Sequence, residues 1–194
     1  MIVLHSQKVA GISGSEAHLL SLLPDLRNRG WDIRFLMLHE QEPGAWEFAR
    51  ELGLGGAVRF LGHVTPIQTA VEQSFAVVVP SLGEGFGMVA LEAMERARPV
   101  IAAAIGGLED LVRDGETGLL VPAGEAEPLA QAMLELASDP GRAAALGREA
   151  RRRALERFPE DRCTERTEEV YRFWLNGRLH GAANGSGLPA VTRS

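Results

Sequence analysis

The chain has 194 residues, of which 45% are hydrophobic and 24% are charged, and its formal net charge is −6. This length and composition predict a globular protein with one sizeable core or two small domains, and they exclude disordered and fibrous classes. The net negative charge argues against a nucleic-acid-binding protein, because phosphate contacts need a basic face.

Short apolar runs alternate with longer segments of helical periodicity along the chain. Strands separated by helices predict βαβ units, and therefore an α/β, Rossmann-like fold with a mostly parallel sheet of about six strands and helices on both faces. The predicted strands are residues 2–5, 32–38, 57–62, 76–80, 99–104 and 118–122. The predicted helices are residues 15–29, 44–53, 66–73, 87–97, 107–113 and 126–137, with further helix to about residue 176.

Two features in the C-terminal part of the chain are expected to have structural rather than catalytic or binding roles. Cys163 is the only cysteine, so a disulfide framework is excluded, and we expect a partly buried, unreactive thiol rather than a nucleophile. The arginine cluster is expected to be a solvated helix face rather than a phosphate site; its members are Arg148, Arg151, Arg152 and Arg153.

The stretch SLGEGFG at residues 81–87 connects a predicted strand that ends near Pro80 to a predicted helix that begins near Met88. Free backbone N–H groups and the helix dipole favour an anion at such a helix N-terminus. Glycines in this turn leave space for a phosphate or sugar to approach the backbone closely, and they are Gly83, Gly85 and Gly87. The turn is therefore a candidate binding site.

Two carboxylates flank this turn. Glu84 lies in the turn, and Glu92 lies about one and a half turns into the following helix. Carboxylates form strong hydrogen bonds with vicinal hydroxyls such as those of a ribose. Spacing alone leaves two interpretations open: either Glu84 and Glu92 bind a sugar, or Glu84 caps the helix and Glu92 is solvated.

The run PSLGEGFGMVALEAMERARPVIAAAIGGLEDLVRDGETGLLVPAGEAEPLAQAMLELASDP resembles the donor-binding half of GT-B type retaining glycosyltransferases of family 4, the glycosyl transferases group 1. The matching features are the E-x7-E pair with GFG between its members, RPV before a strand, IGGLEDLV and DGETGLLVP. The resemblance continues upstream through ELGLGGAVRFLGHV and downstream to about Arg172. Several motifs at the correct mutual spacing are far more specific than the glutamate pair alone.

The resemblance implies the transfer of a hexose from a nucleoside diphosphate sugar with retention of configuration. By this resemblance Glu84 is the catalytic candidate and lies close to the hydroxyls of the donor sugar. Glu92 binds the ribose. The resemblance also implies that the sugar and diphosphate lie against the backbone of Gly85, Phe86, Gly87 and Met88. The sequence has no D-x-D triplet, so we expect no metal site and no cofactor beyond the donor substrate.

The N-terminal stretch resembles the opening of the same family's acceptor domain, where a GGAE motif begins a helix near the diphosphate. Gly14, Ser15 and Glu16 stand in the comparable place, and Ser13 or Ser15 is equally consistent with an ordinary N-cap. His63, in FLGHV, matches a family position that lines the nucleotide site, and a surface turn histidine is the alternative.

The pattern departs from the family between Leu38 and Ala57, where most of the acceptor domain would lie. We therefore expect a shortened form in which the first β-α-β unit joins the donor-domain strands in one sheet. The predicted divisions are an N-terminal unit with junction at 1–56, a donor nucleotide-sugar-binding domain at 57–176 and a disordered tail at 177–194. The family's diphosphate-clamping lysine has no match, since Lys8 is the only lysine, and Arg59 is the one nearby arginine candidate.

Three functional interpretations follow and stay open. The first is a glycosyltransferase that needs a second polypeptide, or a further copy of itself, to supply the acceptor side. The second is a non-catalytic nucleotide-sugar-binding module, and the third is an inactive truncated fragment. The acceptor is unassigned. No apolar run reaches the roughly 18 residues of a membrane span, so we expect a cytoplasmic protein without a transmembrane segment.

Overall fold

The computed structural model describes residues 2–6, 24, 34–38, 47, 49–54, 56–61 and 66–180. Six strands form one sheet in the order β3-β2-β1-β4-β5-β6, and every neighbouring pair is parallel. The strands are β1 (Ile2–Ser6), β2 (Arg34–Leu38), β3 (Val58–Phe60), β4 (Ala76–Val79), β5 (Val100–Ala103) and β6 (Leu119–Val121). The predicted six-stranded parallel sheet is confirmed.

Six helices are described in full, and further helical residues occur at 47 and 49–51, within the segment predicted at 44–53. Most of the helix predicted at residues 15–29 lies outside the described residues. The six helices are α1 (Gln68–Gln73), α2 (Met88–Glu95), α3 (Gly107–Leu111), α4 (Ala126–Ser138), α5 (Pro140–Arg157) and α6 (Glu160–His180).

The central strands are apolar and buried along their whole length. β4 reads AVVV and β5 reads VIAA, and all eight of these residues are buried. Successive side chains of a strand point to opposite faces, so both faces of the sheet are covered, as is typical of parallel sheets. The prediction of helices on both faces is confirmed.

One face of the sheet forms the main hydrophobic core. Val78, Ile101 and Leu119 are paired across three neighbouring strands and belong to one buried cluster. The same cluster includes Leu129 and Met133 from α4. These side chains recur along α4 at the spacing of a helical turn, which explains why this segment folds as a helix that covers the sheet.

The order of the strands determines where a ligand can bind. The chain first builds β1, β2 and β3 in one direction and then crosses back to place β4 on the other side of β1. In such doubly wound sheets, ligands bind beyond the carboxyl ends of the strands, near the point of reversal. The loop that follows β4 lies at this edge.

The chain divides into two compact units, Met1–Arg157 and Phe158–Ser194. In the second unit, α6 extends to His180, past the predicted start of the tail at residue 177, and residues 181–194 lie outside the described residues.

Cys163 is exposed rather than partly buried, because it lies on a helix whose described side chains are exposed. The predicted boundary at residue 56 stays a prediction. In the part of the chain that the structure describes, no helix has the length and apolar character needed to cross a membrane.

Candidate functional site

The candidate site is the loop between β4 and α2, residues 80–87. β4 ends at Val79, and α2 begins at Met88 with Gly87 as its N-cap residue. No side chain forms a cap hydrogen bond at this end of α2, so the alternative in which Glu84 caps the helix has no support. The backbone N–H groups of the first turn of α2 therefore have no capping side chain and are available to an anionic ligand.

Gly87 is required by both conformation and space. Its φ is 95°, in the left-handed region that side chains rarely adopt. A Cβ atom at this position would lie 2.6 Å from Cδ2 of Leu108, a buried residue of α3. The close packing of the loop on α3 thus fixes the direction in which α2 begins.

A second loop supports the first. Gly106 and Gly107, which begin α3 after β5, lie against the backbone of residues 84–86. A Cβ on Gly106 would collide with the carbonyl oxygen of Glu84, and one on Gly107 would lie 2.5 Å from Cα of Phe86. The two loops therefore pack backbone against backbone. The IGGLEDLV motif is part of the family resemblance, but its local sequence does not predict this contact.

Glu84 is half-buried at the centre of the first loop. The hydroxyl of Ser81, which is itself buried, donates a hydrogen bond of 3.5 Å to Oε2 of Glu84. This single long bond leaves most of the acceptor capacity of the carboxylate unused, since a carboxylate accepts about four hydrogen bonds.

Large apolar side chains on either side of Glu84 in the sequence are exposed. Leu82 is 53% exposed, Phe86 is 38% exposed and Met88 is 49% exposed. Adjacent exposed apolar residues beside polar groups are typical of surfaces that bind a ligand or another protein surface.

Glu92 is partly buried on α2, and one of its carboxylate oxygens, Oε2, is buried without a hydrogen-bond partner in the structure. Burial raises the pKa of this carboxyl, the nearby Arg96 guanidinium lowers it, and Glu95 raises it, with burial the largest effect. Arg96 donates its hydrogen bond of 3.0 Å to the backbone carbonyl oxygen of Glu92. A buried acceptor without a donor is rare unless a ligand or water supplies one.

The structure thus brings six of the eight predicted site residues together on one loop and helix. Gly85 is exposed on the loop, between Glu84 and Phe86, as close backbone approach by a ligand requires. Gly14 and His63 lie outside the described residues, so their predicted roles stay predictions. Arg59 is exposed on β3. Within the described ranges, the structure contains no group of three or more His, Cys, Asp or Glu side chains arranged to hold a metal ion.

Comparison with protein families gives one matching model. It is described as Glycosyl transferases group 1 and matches residues 14–139. Among curated proteins, D-inositol 3-phosphate glycosyltransferase of Rhodococcus jostii (strain RHA1) is 44% identical over 129 residues. Those residues are 66% of this chain and 28% of that protein.

Solved structures with similar folds include sucrose-phosphate synthase from Thermosynechococcus elongatus, with a TM-score of 0.80 at 28% identity over 90% of this chain and 46% of that chain. Anabaena HepE, solved in complex with UDP, has a TM-score of 0.76 at 25% identity over 88% of this chain and 48% of that chain. The chain therefore spans less than a third of that curated relative and about half of each solved structure.

Proposed function

Because this chain belongs to the group 1 glycosyl transferases, as its motifs predict, we propose that the loop at residues 80–87 and helix α2 bind the nucleoside diphosphate sugar donor of a hexosyl transfer. The observation that supports this most strongly is the buried, unpaired Oε2 of Glu92. A ribose hydroxyl is the kind of donor that this oxygen lacks.

The other residues of the unit are assigned by their position. Glu84, which is contacted by the Ser81 hydroxyl, accepts hydrogen bonds from hydroxyls of the donor sugar and is the catalytic candidate. The backbone of residues 85–88 lies against the sugar and diphosphate, and the N-terminus of α2 stabilises the negative charge of the departing diphosphate. Gly14 and His63 are proposed to line the same site from other loops.

We propose that the reaction retains configuration. The bond between the anomeric carbon and the diphosphate oxygen breaks, the acceptor oxygen bonds to the same face of that carbon, and the proton of the acceptor hydroxyl passes to the departing diphosphate oxygen. We propose that the transfer is independent of a metal ion, which the absence of a D-x-D triplet from the sequence supports. The charge of the leaving group is then stabilised by helix N-termini and basic side chains.

Calorimetric titration with UDP, GDP and ADP tests the donor site. UDP is the first ligand to try, since Anabaena HepE was solved with it. We expect Glu92→Ala to weaken the binding of the preferred nucleotide by about 1.5–3 kcal/mol, the usual contribution of a hydrogen bond to a charged group. Glu95→Ala on the same helix is the matched control, and we expect its affinity to stay near that of the unchanged chain. Equal affinity in both variants would remove Glu92 from the site.

Transfer by the purified chain alone is a separate question. The family's diphosphate-clamping lysine has no counterpart here, because Lys8 is the only lysine. We therefore propose that the chain binds the donor but transfers sugar only with a second polypeptide or a further copy of itself; donor binding without transfer under all conditions would favour a binding module. Radiolabelled transfer from a UDP-hexose to D-inositol 3-phosphate, the substrate in the relative's name, is a direct assay. Robust turnover by the monomeric chain would contradict the need for a partner.

A further inference from the structure

A second buried acceptor, on helix α1, has no role in the site described above. The carboxamide oxygen Oε1 of Gln68, in the first turn of α1, is buried and has no hydrogen-bond partner in the structure, as is also true of Glu92 Oε2. Leaving a buried acceptor unpaired is unfavourable, so each such oxygen in a native protein needs an explanation. Both oxygens are acceptors, so neither can satisfy the other while Glu92 is ionised.

Contacts one turn further along the helices fix the alignment of α1 and α2. Glu72 at the end of α1 lies against Arg96 at the end of α2, with Oε1 and Nε 3.8 Å apart. Arg98, just beyond α2, donates a hydrogen bond of 2.5 Å to the backbone carbonyl oxygen of Glu72. The C-terminal ends of the two helices are therefore side by side.

The same alignment predicts that Gln68 lies level with Glu92. Each of α1 and α2 runs back from the carboxyl edge of the sheet to the start of the next parallel strand, so the two helices point the same way. Gln68 is four residues before Glu72, and Glu92 is four residues before Arg96, so each lies one turn back on the same helix face. This turn is the one nearer the carboxyl ends of the strands, where the ligand binds.

We infer that Gln68 and Glu92 bind the ribose of the nucleotide together, each accepting a hydrogen bond from one hydroxyl of the vicinal diol. This inference rests on the proposed function. Two neighbouring acceptors match two neighbouring hydroxyl donors, and the neutral carboxamide adds an acceptor without adding a second negative charge beside the carboxylate. Gln68 is thus a specificity residue that selects ribonucleotides over deoxyribonucleotides. The motifs at residues 81–122 do not indicate this role for Gln68.

The experiment measures the affinity of the unchanged chain for UDP, 2′-deoxy-UDP and 3′-deoxy-UDP by calorimetry, or for the corresponding GDP or ADP set if that nucleotide binds best. We expect each deoxy form to bind about five- to tenfold more weakly, the effect of losing one hydrogen bond. In Gln68→Met, which keeps the length of the side chain, we expect the discrimination against one deoxy form to fall to near onefold while discrimination against the other remains. Gln73→Met, at the exposed end of the same helix, is the matched control and should keep both discriminations.

The outcomes separate the inference from the proposed function. A purely structural role for Gln68 would weaken all three ligands by the same factor, and this result would overturn the inference, as would discrimination in Gln68→Met equal to that of the unchanged chain. Gln68→Ala provides a second variant, and thermal unfolding verifies that each variant is folded. Nucleotide binding that depends on Glu92 but not on Gln68 refutes the inference alone. No binding of UDP, GDP or ADP to the unchanged chain refutes the proposed function and the inference with it.

Discussion

The packing of two glycine loops makes a quantitative prediction for Gly107→Ala. Gly107 is the first residue of α3, and an added Cβ would lie 2.5 Å from Cα of Phe86 and against the carbonyl oxygen of Gly85. Non-bonded carbon atoms are at their optimal separation at about 3.5–4.0 Å, so one of the two loops must move by about 1 Å. Both contacts are with backbone atoms, so no side chain can rotate away to relieve them.

The free energy of unfolding should fall despite a favourable local effect. Overpacking of this kind costs about 1–3 kcal/mol. Glycine to alanine in a helix ordinarily adds roughly 0.5–1 kcal/mol of stability, which offsets part of that cost. We expect a net destabilisation of about 1–2 kcal/mol and a fall in Tm of about 2–8 °C for a chain of this size.

Thermal unfolding followed by circular dichroism measures this change. The matched control is Gly85→Ala in the partner loop, where an added Cβ meets no atom within 4 Å, so its Tm should stay within about 2 °C of the unchanged chain. A Tm for Gly107→Ala that is unchanged or raised would show that the two loops separate freely, and it would refute the argument that their contact holds the site in place.

Two further predictions concern charge. Burial raises the pKa of the Glu92 carboxyl in the folded chain, so the stability linked to this group is present below its unfolded pKa and is lost as pH rises through the raised value. Glu92→Gln should therefore raise Tm at pH 7 more than at pH 4 while weakening nucleotide binding, and an equal change in Tm at both pH values would contradict this. Arg153 donates hydrogen bonds of 2.9 Å and 2.6 Å to the carbonyl oxygens of Leu111 and Asp110 at the end of α3, so Arg153→Ala should cost about 1–3 kcal/mol in urea denaturation. Arg151 is exposed, so Arg151→Ala is the control and should lower the free energy of unfolding by less than about 0.5 kcal/mol. Equal destabilisation by the two substitutions would refute the stabilising role of the Arg153 hydrogen bonds.

The arginine cluster was only partly predictable from the local sequence pattern. Charge on one helix predicts a solvated face, and Arg148, Arg151 and Arg152 are exposed as expected. Arg153 instead contacts the end of α3, about forty residues earlier in the chain. Its different role could not be predicted, because the partner carbonyl groups are backbone atoms that any sequence would supply.

The sequence by itself determined the order and type of the elements. Continuous apolar runs predict buried parallel strands such as β4, helical spacing predicts the helices between them, and the glycines around Glu84 mark the turn at the carboxyl edge. These signals are local, since each depends on residues that are close together in the sequence. Only the tertiary structure placed Glu72 beside Arg96 and Gly107 against Phe86. Such contacts depend on how far each helix is shifted and rotated on the sheet, and that is decided by the packing of the whole core rather than by any single segment.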